Sequence, residues 1–571
     1  METGIDPVGG SDVEEISAGK WFVAFPRVFR EHKFFRWLVY GTAVGTLSAL
    51  GAAAIFYLLE WTTFWGMEYL TGYTGGKPAG EQIVSRVAGT PLRLWLLFLL
   101  PAFGGLLSGL IVYTWAPEAE GHGTDAFIDA FHNKQGFVRT RVPFVKGIAS
   151  VITLATGGSA GREGPIAQIG AGVGSWLGRI LRLNIRERRL MLLAGCAGGL
   201  GAIFRAPLGG ALTAVEVLYR EDLETEGVVL CIISSSVSYA IFTGIFGHQP
   251  IFAIPAIEFS NAVELLLYAV LGLVCVPFGY MYVKTFYGLR DHFFRKLPIK
   301  RALIPACGGL LVGLVALWQP KAIGGGFGII QKALMGELPM ALMFTLAFLK
   351  IATTSFTISS GGSGGVFGPS LFIGAMLGGA VGQLAHAWFP GIVGSPGAFA
   401  LVGMAAFFAG VAKAPIGALL MVCEMTGGYQ LIVPIMFTSV VAILLSQRWS
   451  LYEKQVLNKF HSPAHRSDRV INILKDLSVR DVHRRNAAVA ILPEDMTFGH
   501  LRRFIATTRE SFYPVVNDDF QLTGILSLSE IRPVMFEESI SDLLILRDLV
   551  LPPVSVSPDE SLSEALLKFL E

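Results

Sequence analysis

Apolar residues first gather in two long runs, Phe34 to Trp65 and Leu92 to Trp115. Each exceeds the ~20 residues a helix needs to cross a bilayer. From Val142 to Tyr219 the pattern turns irregular. Apolar pieces are cut by Gly157–Gly161, by the charged turn Asn184–Arg189 and by Arg205-Ala206-Pro207, leaving several too short to cross alone. Long spans return at Gly227–Phe246, Val263–Tyr287 and Ala302–Trp318, and the broken pattern then repeats from Leu338 to Leu445. Beyond Arg448 the apolar character ends. The charged region up to Glu571 predicts a small soluble α/β unit, with strands in Ala487–Leu492 and Tyr513–Leu528 and an amphipathic helix over Thr497–Thr507.

The broken stretches are related. Gly157-Gly158-Ser159-Ala160-Gly161-Arg162-Glu163-Gly164-Pro165 has a partner 204 positions later in Gly361-Gly362-Ser363-Gly364-Gly365-Val366-Phe367-Gly368-Pro369. Phe204 to Leu212, with Glu216 beyond, aligns with Ala412 to Leu420, with Glu424 beyond. Paired interrupted helices in two halves of a membrane chain point to a binding site near the midplane. In the soluble part, Val479-Arg480-Asp481-Val482 with Pro493-Glu494-Asp495 recurs as Leu546-Arg547-Asp548-Leu549 with Pro558-Asp559-Glu560, and the second copy is read as incomplete at Glu571.

Composition supports a polytopic membrane protein: 52% of the 571 residues are hydrophobic and only 15% charged, against about 25% charged in soluble domains. A net charge of +2 gives no case for nucleic acid. The five cysteines stand singly in apolar stretches, which fits buried thiols and neither a disulfide framework nor a metal cluster. The first twenty residues are polar and lack an apolar core, so no secretory leader is expected. Lys20, Arg27, Arg30, Lys33 and Arg36 precede or open the first span and place the N-terminus in the cytoplasm by the positive-inside tendency.

A break inside lipid is tolerated only where protein or water surrounds it. A helix that begins there offers free N–H groups and the positive end of its dipole, a ready anion site. Four such starts are expected, near Arg162–Pro165, Val366–Pro369, Pro207 and Pro415, and together they favour an anion over a cation. Glu163 at one of them can mimic the anion and leave when protonated, which makes it a candidate gate; the competing reading is a salt bridge with a neighbouring arginine. Both glycine runs also fit the G-x-S-x-G nucleophile pattern around Ser159 and Ser363. No strand precedes either copy, so an intramembrane hydrolase is the remote alternative.

Gly161 to Pro165, Gly365 to Pro369, the Ala206–Glu216 helix, Ala414–Gln430 and the Leu451-Tyr452 pair together resemble the CLC family of chloride channels and proton/chloride exchangers, and the soluble tail resembles a CBS pair. The resemblance implies an all-α membrane domain over about 34–460 built as an inverted repeat (about 92–246 and 302–445), after a short cytoplasmic segment, 1–33, and before a CBS region at 471–571. It implies a multi-pass homodimer of the plasma membrane, with both termini cytoplasmic and a separate pore in each subunit for chloride or a related anion. Glu163 would be the gate. Anion contacts would come from His122, Gly123, Arg162, Gly164, the amides of Val366 and Phe367, and the Tyr452 hydroxyl.

Two positions depart from the family pattern. His122, in Gly121-His122-Gly123-Thr124-Asp125, stands where a serine is usual. It either donates to the anion, with added pH sensitivity when protonated, or turns away and leaves the Gly123 amide to bind. Val217 stands where exchangers usually carry an internal proton-transfer glutamate. Glu216 lies about 100° away around a helix and is expected to be structural, as is Glu424. Valine there favours a passive channel, with a proton-coupled exchanger using another internal route as the alternative. No cofactor is required; the CBS region admits an adenine nucleotide, though Ser527-Leu528-Ser529-Glu530 ends in glutamate where nucleotide-binding versions carry aspartate.

Overall fold

The computed structural model describes residues 33–81, 90–255, 259, 261–465, 474, 477–483, 489–508, 510–535 and 543–570. The predicted N-terminal segment up to Glu31-His32 and the start of the first predicted soluble strand lie outside these. The chain divides into two units after Ala464.

The first unit is helical, and its helices fall into two classes that follow from the apolar pattern. Among the described residues, eight are long and apolar enough to cross a membrane. They include α1 (Lys33–Thr63), α2 (Leu94–Trp115), α8 (Val228–Phe246), α9 (Glu264–Gly288), α10 (Ile304–Trp318), α12 (Met340–Ser359), α13 (Phe367–Trp388) and α16 (Ile432–Ser446). Most turn large apolar side chains outward, among them Leu110, Leu266, Leu314 and Leu444. The remaining helices are shorter or interrupted: α3 (Thr124–His132), α4 (Arg141–Ala155), α5 (Glu163–Ile180), α6 (Ile185–Ile203), α7 (Pro207–Glu216), α11 (Phe327–Leu334), α14 (Pro396–Ala412) and α15 (Pro415–Thr426). Helices α5, α6, α13 and α14 are buried almost throughout. Glycine and alanine dominate their contacts, because only small residues let buried backbones pack this closely in lipid.

The predicted repeat is visible in the backbone. Arg205 and Lys413 both adopt left-handed φ, +51° and +60°, immediately before the Ala-Pro that starts α7 and α15. Each turns its cation back onto carbonyls: Arg205 donates to Gln249 (2.5 Å) and Phe246 (3.2 Å), Lys413 to Gly410 and Ser446 (2.6 Å each). The same turn is built twice.

In the second unit, β1 (Leu492–Pro493) runs parallel to β2 (Phe512–Val516), which pairs antiparallel with β3 (Leu522–Ser527). The stretch read as one strand, Tyr513–Leu528, is therefore a hairpin. Asn517 breaks it: its side-chain oxygen accepts from the amides of Asp519 (3.1 Å) and Gln521 (2.8 Å), and Phe520 takes a φ of +59°. The amphipathic helix is present at Phe498–Ile505 and buries Phe498 and Leu501 against the sheet residues Tyr513, Val515 and Leu526.

Candidate functional site

The two glycine runs meet. Gly161 and Gly365 exchange a pair of backbone hydrogen bonds, Gly161 N–H to Gly365 O at 2.7 Å and the reverse at 2.5 Å, and the Gly364 amide donates to Gly121 (3.2 Å). Three loops, two from the first half of the chain and one about 200 residues later, are thereby tied together where α5 and α13 begin. Glycine is required at this crossing: a Cβ on Gly164 would sit 2.1 Å from the His122 carbonyl oxygen, and one on Gly161 would sit 2.0 Å from the Glu163 carboxylate. Gly164→Ala should consequently push the His122 loop off α5 and reduce anion flux at least about tenfold, by analogy with other ångström-scale misplacements at sites. Flux from proteoliposomes at matched protein loading checks this.

Glu163 is fully buried at the first turn of α5, and its carboxylate accepts the Gly368 amide at 3.2 Å from the first turn of α13. The neighbouring Val366 and Phe367 amides have no helical acceptor, as in any first turn. Phe367 packs its ring between Phe204 and Phe408, 4.6 and 4.0 Å between centroids. The carboxylate thus sits where an anion would meet the dipole end of α13.

On one side of this point lie His122 and Tyr452. Tyr452 is buried, hydrogen-bonded to Thr124 and within electrostatic reach of Glu163, and its ring centroid is 5.6 Å from that of His122. His122 Nε2 is 3.2 Å from Asp125, and its Nδ1 is buried with no hydrogen-bond partner. Gly123 reaches the start of α3 through a φ of +82°. His122, Gly123 and Asp125 line a vestibule bordered by Glu120, Phe286, Arg290 and Lys454.

Arg162 faces the other way. It donates to Glu81 through both terminal nitrogens, one at 3.0 Å, and its guanidinium lies over the rings of Phe56 and Phe327, at 5.0 and 4.8 Å. This corrects the expectation that Arg162 contacts the anion with its side chain, since a buried bidentate ion pair already occupies the guanidinium. The pair also answers the competing reading of Glu163, because the arginine's hydrogen-bonded carboxylate is Glu81. A second cavity opens on this side beside Glu81, Arg162, Lys321 and Phe327.

A further correction concerns the other two helix starts. Glu216 accepts the amides of Ile416 (3.2 Å) and Gly417 (2.7 Å) at the start of α15, and Glu424 accepts those of Leu208 (3.2 Å) and Gly209 (2.7 Å) at the start of α7. The Pro207 and Pro415 starts are therefore capped by carboxylates of the opposite half and do not face an anion. Two starts, at Glu163 and Phe367, remain. Val217 is buried at the end of α7, and its carbonyl accepts from Gln455 (2.9 Å). As for the nucleophile pattern, Ser159 Oγ bonds Thr353 and Thr354 (3.0 Å each), and Ser363 Oγ bonds Ser150 (2.9 Å) and the Ala119 carbonyl (3.1 Å). Neither partner set includes an imidazole; the serines tie loops to helices.

The sequence reading missed a pair of buried lysines. Lys146 Nζ donates to the carbonyls of Ala119 (3.0 Å) and Gly121 (2.6 Å), and Lys350 Nζ to those of Ala322 (3.4 Å) and Gly324 (2.6 Å). Both are fully buried. They share the 204-residue offset of the glycine runs, and that offset was the signal that could have found them. Each stitches a glycine turn, Gly121 or Gly324, to a helix of its own half.

This geometry has known counterparts. A model of the voltage gated chloride channel family matches residues 104–447, and a CBS-domain model matches 479–537. The chain belongs to the CLC family. It is 32% identical over 419 residues to the H(+)/Cl(-) exchange transporter ClcA of Cronobacter sakazakii, covering 72% of this chain and 86% of that one. To ClcA of Vibrio cholerae it is 35% identical over 366 residues, 63% of this chain and 78% of the relative. Among solved structures, a slow cyanobacterial Cl-/H+ antiporter superposes with a TM-score of 0.63 at 23% identity, covering 73% of this chain and 95% of the other. CLC membership makes anion transport across a membrane the activity class, and the paired, broken helices are the family's fold.

Proposed function

We propose that this CLC protein exchanges chloride for protons, with Glu163 as the group that both ions contest. The observation that carries this reading is the Glu163 carboxylate held by the Gly368 amide at the start of α13. A buried carboxylate on an anion's own donor must leave before the anion binds there, and protonation removes the charge that holds it. Anion and proton therefore exclude or admit one another at a single place. The names of the ClcA relatives support the same reading. Chloride would be cradled by the Val366 and Phe367 amides and the Tyr452 hydroxyl, with His122 and the Gly123 backbone at the vestibule mouth. Each subunit of a homodimer would carry its own pathway.

Val217 favours a second reading, passive conduction, because a valine beside the pathway cannot carry a proton. The two separate in one measurement. In vesicles or planar bilayers at fixed chloride, a pH gradient should shift the reversal potential and drive chloride uphill. A reversal potential indifferent to the pH gradient would establish the passive reading instead.

A further inference from the structure

Exchange at Glu163 requires a proton to reach a fully buried carboxylate from the vestibule side, where Val217 offers no carrier. Resting on that exchange reading, we propose that Asp125 and His122 form the vestibule-side proton relay to Glu163.

The pair joins the vestibule to a buried ring. Asp125 is partly exposed in the first turn of α3, and both its oxygens are fixed by the amides of Glu453 (3.3 Å) and Lys454 (3.0 Å). His122 presents Nε2 to Asp125 at 3.2 Å, while its side chain is only 8% exposed. The second nitrogen, Nδ1, is buried with no partner. A buried polar atom left unmatched costs free energy, so its retention suits a partner that comes and goes, a water or an anion. The ring lies beside Tyr452, 5.6 Å between centroids, and the His122 carbonyl touches Gly164, the residue after Glu163. Nε2 is thus engaged by Asp125 at the vestibule, and Nδ1 is left for another partner.

The charges around the ring are of both signs. Asp125 is the nearest anion. Across the vestibule, Arg290 is paired with Asp291 and Glu453 and Arg295 with Asp291, beside Glu118, Glu120 and Lys454. Lys146 lies beneath Gly123 and is bonded to the carbonyls of Ala119 and Gly121. Phe286 closes the remaining face, its ring centroid 6.1 Å away.

The step balances without any oxidant or cofactor. A hydronium ion in the vestibule protonates Asp125 and leaves water. The Asp125 carboxyl passes its proton to Nε2, forming an imidazolium beside a restored carboxylate. Nδ1 then releases its proton, through intervening water, to the Glu163 carboxylate, and exchange with water resets the neutral ring. A chloride ion nearby favours the imidazolium, so anion occupancy and proton uptake support each other.

The test compares proton and chloride fluxes in proteoliposomes for the full chain. His122→Asn cannot carry a proton, so the proton-to-chloride ratio should fall by about a hundredfold, the lower end of what a positioned acid–base group contributes, whatever the change in chloride rate at this anion-contact position. Asp125→Asn should lower the ratio in the same direction. His132→Gln, at the far end of α3, should leave it unchanged, and loss of coupling there alone would overturn the assignment. If His122→Asn abolishes chloride flux too, Asp125→Asn decides, and full coupling in it sinks the relay. Wild-type protein that moves chloride and no protons would overturn the exchange reading itself; wild-type coupling that survives both vestibule substitutions would overturn the relay alone.

Discussion

Glu163→Gln should abolish proton transport and leave a chloride flux that no longer responds to pH. The amide matches the protonated carboxyl in size and charge, so it cannot compete as an anion for the Gly368 amide at the head of α13. With the contest removed, chloride should hold the helix start permanently, and the reversal potential should follow chloride alone. The effect is expected to be large because no other carboxylate of the described residues bonds that amide: Glu81 is engaged by Arg162, and Glu216 and Glu424 by α15 and α7. Paired pH-electrode and chloride-electrode recordings from the same vesicles provide the check. Proton pumping preserved in the variant would remove Glu163 from the mechanism.

The second large effect concerns stability. Glu216→Ala strips the acceptor from two amides at the start of α15, Ile416 and Gly417, the latter buried. An orphaned buried donor costs about 1–3 kcal/mol, and Gly417 is the buried donor of the two. A loss of that size is a large share of the stability of an ordinary protein. Glu216→Gln, which keeps one acceptor oxygen, should recover part of it. Thermal unfolding in detergent, read by size-exclusion of heated samples, should rank wild type above Glu216→Gln above Glu216→Ala. Equal midpoints for all three would mean the cap contributes nothing. Glu424→Ala should cost a similar amount, since the amides it serves, Leu208 and Gly209, match Ile416 and Gly417 in exposure and in distance.

Much of this architecture could be read from residues because it is repeated. The glycine runs, the Ala-Pro starts and the glutamates beyond them occupy corresponding places, and interruption of an apolar span in lipid has few physical meanings. Other features had no local signature. Nothing near Arg162 signals that its guanidinium turns to Glu81, 81 positions earlier, because the direction of a side chain depends on what the fold brings beside it. The same limit explains the error at Pro207 and Pro415. A proline-headed helix start predicts orphaned amides, and the acceptor that satisfies them lies in the other half of the chain. The hairpin hidden in Tyr513–Leu528 went unread for a nearer reason: a turn of Asn517, Asp518 and Asp519 is short beside the apolar residues flanking it.

The exchanged caps between α7 and α15 bear on how such a chain is made. Leu208 waits for Glu424, 216 residues downstream. At 5–20 residues per second, the ribosome needs roughly 10–40 s to deliver it. Through that interval the head of α7 sits at membrane depth with its amides unanswered, and Gly161 likewise lacks the Gly365 strand that pairs with it. The first half is thus inserted before it can be finished. Biosynthesis of this protein passes through an interval in which the nascent half depends on water or on the insertion machinery to shelter the amides that its second half will eventually claim.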